Sequence, residues 1–246
     1  METESARLQN SGWMKVGSAY EIQTSDQGKE YAVPFVFEYG ITDRFEIVVE
    51  PILFSSIKPN SGSTAKGLGD LEMTLSYLLF KEKKSFPAIA LAAEVKIPTA
   101  NNKLIGTGKT DYAFYLIGSK KFGNLDLNAN INYTYIGKPT GSSLQNIFFF
   151  ASSFKYEIKN KILLFGELYG NTPSTNIPEG SGMGGEGTLT PEAAGGEIVG
   201  SLGVGYYVVP KLLLSFSTSY DNNNAFLFRP AISLETNLFG HNKMKK

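Results

Sequence analysis

Residues 109–137, KTDYAFYLIGSKKFGNLDLNANINYTYIG, constrain the fold more than any other part of the chain. They read as two long strands joined by a tight turn at Phe122-Gly123-Asn124. In the second strand Leu125, Leu127, Ala129, Ile131, Tyr133 and Tyr135 alternate with Asp126, Asn128, Asn130, Asn132 and Thr134. Successive side chains of a strand point to opposite faces, so this order makes one apolar face and one polar face. Any half-buried antiparallel strand would satisfy that much. Length and ends say more. About ten residues of alternation, closed by tyrosines, match a tilted strand that crosses an outer membrane with its polar row turned to a wet interior.

The same alternation recurs along the chain. Strands are expected at about Trp13–Gln23, Tyr31–Tyr39, Arg44–Leu53, Asp70–Leu79 and Ile89–Ile97, then the hairpin. Further strands follow at Phe148–Ile158, Lys161–Asn171, Glu197–Val208 and Leu212–Tyr220, with a last one running to about Phe239. Pro34 inside the second strand predicts a bulge or break. That makes roughly twelve strands. Short turns follow the even-numbered strands and longer loops follow the odd ones through the ninth, the longest being Thr172–Ala194. This sorting by parity is the pattern of bacterial outer-membrane barrels, and an even count returns both ends of the barrel to the short-turn side. Tyr112, Phe114, Tyr133, Tyr135, Phe148 and Phe150 then fall at the outer ends of adjacent strands, as an aromatic girdle would; core rings of a soluble sheet are the competing explanation. The expected organisation is a polar segment over 1–11, extended or disordered, a barrel over 12–240 and a basic tail over 241–246.

Composition removes several alternatives. No apolar run reaches the roughly eighteen residues of a transmembrane helix, but a barrel needs none. Lys plus Arg and Asp plus Glu are equal at 23 each, so no global field favours nucleic acid. Cysteine is absent, which rules out disulfides and thiol chemistry. The first ten residues, METESARLQN, lack the basic start and apolar core of a signal peptide, so an envelope address implies a mature sequence.

Catalytic constellations fare poorly. The only histidine, His241, lies in the tail, which argues against a Ser-His-Asp hydrolase or a histidine-based zinc site. Gly106-Thr107-Gly108-Lys109-Thr110 is reminiscent of a P-loop, but Lys103 occupies the position of the required first glycine, and the segment opens a strand rather than a helix. No EF-hand loop occurs and no carboxylate pair stands out by spacing. Neither an enzyme nor a cofactor is expected. The informative set is the ionisable residues of the predicted inner face: Glu46, Glu50, Asp70, Glu72, Glu94, Lys96, Asp111, Lys155, Glu157, Glu167, Glu197, Arg229 and Glu235. On a lipid face the basic ones would each cost about 2–4 kcal/mol near the midplane. Inside, the set is either a pore lining or a salt-bridge network that holds a filled interior.

Three phrases carry a family resemblance. Gly67-Leu68-Gly69-Asp70-Leu71, Lys96-Ile97-Pro98-Thr99 leading to Gly106-Thr107-Gly108-Lys109-Thr110-Asp111, and Tyr133-Thr134-Tyr135-Ile136-Gly137 resemble motifs of the family named for the MetA pathway of phenol degradation. Ala100 departs from that family's usual glycine after Pro-Thr, and Phe239 is followed by His241 and the basic tail instead of closing the chain. The resemblance implies an outer-membrane transporter, lipid and barrel-assembly machinery as partners, and an association with small aromatic or hydrophobic solutes. The reading is an all-β, transmembrane, antiparallel up-and-down barrel of about twelve strands, passing a small solute. A non-conducting structural or adhesive barrel and a soluble ligand-binding β-barrel are the alternatives.

Overall fold

The computed structural model describes residues 2–174 and 196–237, and in it fourteen strands close a single antiparallel sheet. In chain order they are β1 (Trp13–Ala19), β2 (Glu21–Ser25), β3 (Gly28–Gly40), β4 (Phe45–Pro59), β5 (Ala65–Gly67), β6 (Leu71–Phe80) and β7 (Ala88–Ile97). The second half adds β8 (Asp111–Phe122), β9 (Leu125–Tyr135), β10 (Ile147–Ile158), β11 (Ile162–Asn171), β12 (Glu197–Val209), β13 (Leu212–Asp221) and β14 (Phe226–Asn237). β1 and β2 form one stave interrupted at Tyr20, and β5 and β6 form another interrupted at Leu68–Asp70, so the barrel has the expected twelve staves. It closes where β1 meets β14, from Trp13 opposite Asn237 to Ala19 opposite Ala231. Closure gives every stave a neighbour on both sides, as a sheet in hydrocarbon requires, with only the three-residue β5 paired on one side alone.

The hairpin behaves as its alternation predicts. Tyr112 to Phe122 of β8 pair without slippage against Tyr135 to Leu125 of β9. The opposite side chains of that register, Leu116, Leu127 and Ile131, are exposed, whereas Asn128, Asn130 and Asn132 are buried. This inversion of a soluble protein's order holds round the barrel, with Leu202 64% exposed and Leu75, Leu168, Leu214 and Ile232 also outside. Each such side chain left in water would forfeit about 1.5–3 kcal/mol relative to burial, so the exterior is a lipid-facing surface. Tyr112, Phe114, Tyr133, Tyr135, Phe148 and Phe150 are all exposed on it, near the loop ends of β8–β10, as a girdle and not as core rings. Phe45 packs on Tyr77 at 4.7 Å and Phe80 on Phe86 at 5.8 Å near the opposite rim.

Connections at one rim are short. Gly123–Asn124 joins β8 to β9, and Lys159 and Asn160, both at positive φ, turn β10 into β11. Positive φ at both central residues matches the right-handed twist of the flanking strands. At the other rim the loops lengthen, with two differences from expectation. The first loop is only Asp26-Gln27, because β2 and β3 pair as far as Ser25 and Gly28. More than half of the loop between the strands expected at Arg44–Leu53 and Asp70–Leu79 is itself strand, with β4 reaching Pro59 and β5 returning beside it. Ser, Lys and Gly there signal exposure, and the cross-strand ladder overrides them. Pro34 sits at a register shift between β3 and β4, as a proline without an N–H demands. Phe239, the 241–246 tail and most of the Thr172–Ala194 loop lie outside the described residues.

Candidate functional site: the lumen and its N-terminal segment

The N-terminal residues are not a free tail. The chain reverses at the short-turn rim, where Trp13 N–H donates to the Asn10 carbonyl and Gly12 N–H to the Gly40 carbonyl, each at 2.9 Å. Gly40 permits this, since a Cβ there would collide with the Asn10 carbonyl. Residues 2–11 then run up inside the barrel. Gln9 N–H donates to Glu46 Oε2 at 2.6 Å, and its side-chain amide to Glu38 at 3.2 Å. Arg7 meets Glu82 at 2.7 Å and also Asp126. Ala6 N–H donates to Ser119 Oγ (2.8 Å), which in turn donates to Asn128 (2.7 Å). Glu4 N–H donates to Asn130 Oδ1 at 3.0 Å, and Thr3 N–H to Glu167. A segment without secondary structure must satisfy its N–H groups on side chains, and the barrel supplies one at each of these steps.

Packing explains the side it takes. Ala6 is fully buried with Leu78 of β6, Ala88, Ala90 and Ala92 of β7 and Ile117 of β8, and Leu8 packs against the same cluster. Three inward alanines leave a shallow apolar strip where a water-filled lumen would carry polar side chains. The segment fills it.

Along the opposite wall a cavity of about 530 Å³ remains. Its sides are the segment (Thr3–Gln9), the inward faces of β1, β3 and β4, and residues of β10–β14 that include Phe165, Ser215 and Ser217. At the short-turn rim it reaches Lys121, Asn124 and Lys211, whose Nζ lies 3.9 Å over the Trp13 ring.

Strand parity puts twelve of the thirteen ionisable residues singled out in the sequence on the interior side, and Asp70, in the break between β5 and β6, is buried with them, but they fall in two unlike environments. The first is a clasp beneath the loops. Lys96 Nζ lies 2.5 Å from Asp111 and 3.7 Å from Asp70. Asp70 also accepts Ala100 N–H (2.9 Å) and Asp111 accepts Gly137 N–H (2.7 Å), while Thr99 Oγ1 donates to the Gly69 carbonyl (2.9 Å). Gly69 has no room for a side chain, because a Cβ there would stand 2.6 Å from that of Ile52. The three family-like phrases therefore meet in space, and their charged residues are occupied in holding loops 98–110 and 136–146 to the barrel. Arg229 is similarly engaged with Glu21 at 3.0 Å and Glu2 at 3.9 Å.

The second environment is a cage of carboxylates. Glu50 stands opposite Glu72 in register, and Thr74 and Tyr115 hydroxyls donate to Glu94 at 3.3 and 2.8 Å. Glu46, Glu50, Lys155, Glu157 and Glu235 line the cavity; Glu167 holds Thr3, and Glu197 begins β12 opposite Asn171. Sequence parity misses Lys15 and Glu38, a 2.5 Å ion pair on β1 and β3 that alternation could have assigned to the interior. It also misses Glu4, Arg7 and Gln9, for which the apolar Ala6 and Leu8 in an otherwise polar stretch are the sole signal. Glu4 is part-exposed to the cavity yet ringed by protein. Burial, then the charges of Glu50, Glu38, Glu46 and Glu94, push its carboxyl from 4.5 up to about 8. Among the described residues no cluster of His, Cys, Asp and Glu has the arrangement of a metal site.

The fold has solved counterparts. It is similar to the COG4313 outer membrane channel from Pseudomonas putida F1, with a TM-score of 0.69 and 13% identity over 96% of this chain and all of that one. It is also similar to the NanC porin (TM-score 0.63, 10% identity, 89% of this chain and 98% of that one). The KdgM porin in complex with disordered oligogalacturonate aligns at TM-score 0.54 and 10% identity, with the same coverage. Among curated proteins none matches the chain in sequence. The sequence profile described as "Putative MetA-pathway of phenol degradation" matches residues 45–225, which include the whole clasp, and the chain belongs to that family.

Proposed function

We propose that this protein is a bacterial outer-membrane channel for the passive passage of a small solute, with the N-terminal segment as the constriction of its lumen. The observation that carries the reading is the cavity of about 530 Å³ that runs beside the segment inside a closed, lipid-exposed barrel. Likeness in fold to channels and porins fits it. The reading calls on no catalysis, cofactor or nucleic acid, and makes outer-membrane lipid and barrel-assembly machinery the partners. For the solute we favour small aromatic compounds. The family description points that way, and so do inward rings such as Phe149 and Tyr169, whose centroids are 6.0 Å apart. Glu46, Glu50, Lys155, Glu157 and Glu235 would be the ionisable lining of the path. Asp70, Lys96 and Asp111 would serve the loops.

A second reading, a non-conducting structural barrel, draws on the same segment, since it fills part of the lumen. Single-channel recording in planar bilayers separates the two. The full chain is expected to conduct weakly and a variant lacking residues 2–10 several-fold more, with small aromatics reducing the current. Silence from both, after verified insertion, would sink the channel reading.

A further inference from the structure

The N-terminal segment brings a carboxylate into a compartment that already holds too many. Glu4 lines one cavity with Glu38 of β3 and with Glu46 and Glu50 of β4, and Glu94 of β7 acts on it as a further like charge. Lys15 of β1 and Lys155 of β10 line the same cavity, and Tyr115 of β8 lies within reach of the Glu4 charge. The two lysines offer limited relief: Lys15 is committed to Glu38 at 2.5 Å, and Lys155 makes no ion pair among the described residues. On its own segment Arg7 is turned away to Glu82 and Asp126, and on β9 Asn130 takes only the Glu4 backbone N–H. Docking therefore rests on backbone donors and on Ala6, while an ionised Glu4 opposes it, and Glu2 at the start of the same segment adds a further like charge to Glu50, Glu72 and Glu94.

We propose that the segment is a pH-controlled latch: with Glu4 protonated it stays docked against β7–β9, and with Glu4 ionised the cost of burying its charge, increased by the repulsion of Glu50, Glu38, Glu46 and Glu94, drives it out and widens the lumen. The sign follows from linkage. A carboxyl whose docked pKa of about 8 exceeds its free value of 4.5 favours docking fully below 4.5 and loses that contribution as pH rises to 8. Across that window docking weakens by up to about tenfold per pH unit. The docked state is thus an acid-stabilised one.

The chain has no cysteine, so a single introduced thiol reports on the segment alone. The test is the rate of maleimide labelling of Ser5→Cys in the detergent-solubilised full chain between pH 5.5 and 8.5. Rates are divided by those of Ser61→Cys on an exposed loop, which corrects for thiolate formation. The ratio should rise at least tenfold across the range, and Glu4→Gln in the same background should flatten it. A ratio that stays constant, or a rise that survives Glu4→Gln, overturns the latch. The inference builds on the channel reading only through its conductance arm. Labelling that follows pH while the bilayer current stays silent upholds the latch and removes the channel. A pH-dependent current with constant labelling does the reverse.

Discussion

The clasp and the cage are built from the same side chains and behave as opposites. In the clasp two carboxylates share one lysine and accept backbone N–H groups, so every charge has a partner and the loops are fixed. In the cage Glu50 faces Glu72, Glu94 leans on two hydroxyls, and Glu4 arrives without a cation in ion-pair contact. Burial penalises a charge in both places, and only pairing offsets the cost. The difference teaches that an inward carboxylate is structural or responsive according to its partners, not its face. Salt-bridged carboxylates and carboxylates without a cation in contact are both present on the inner wall of one barrel.

The distinction breaks most visibly at Lys96. Lys96→Ala leaves Asp70 and Asp111 together without a cation, both side chains at most 10% exposed. Removing one member of such a buried set costs about 3–5 kcal/mol, and the melting temperature in detergent should fall accordingly. Labelling of Ser5→Cys should not change. If it accelerates, clasp and cage are one cooperative unit and the comparison fails. Gly69→Val probes the same region by size. A side chain there meets Ile52 inside van der Waals distance, with a cost of about 1–3 kcal/mol in thermal stability and earlier proteolysis of loop 98–110.

The sequence made the barrel legible because alternation is local. Leu125 to Tyr135 announce their two faces without reference to any other strand, and parity assigns the interior residues once the strands are found. Partners were not legible. Nothing in Lys96 says that it will reach Asp70 and Asp111, since that needs the shear of β6, β7 and β8. The end of β4 is hidden for a related reason: Ser55 to Pro59 look like a loop until β3 and β5 pair with them. The segment was hidden most deeply. Its polarity suits solvent, and only the inward Ala88, Ala90 and Ala92, too small and too apolar for a wet wall, mark where it docks.

Ser119→Ala gives the smallest effect and the finest division between the two regions. Ser119 Oγ accepts the Ala6 N–H and donates its own hydrogen bond to Asn128 Oδ1, so its loss removes one anchor of the segment and no part of the clasp. A buried hydrogen bond of this kind is worth about 1 kcal/mol. That is roughly a fivefold rise in the undocked fraction, read as fivefold faster hydrogen exchange at the Ala6 amide. The melting temperature should stay within a degree or two, because the barrel wall keeps its ladder at Ser119 and Asn128. Faster exchange without global destabilisation would establish the segment as a separately unfolding unit. A fall in melting temperature equal to that of Gly69→Val would instead make it a pillar of the barrel, with no freedom to open the lumen.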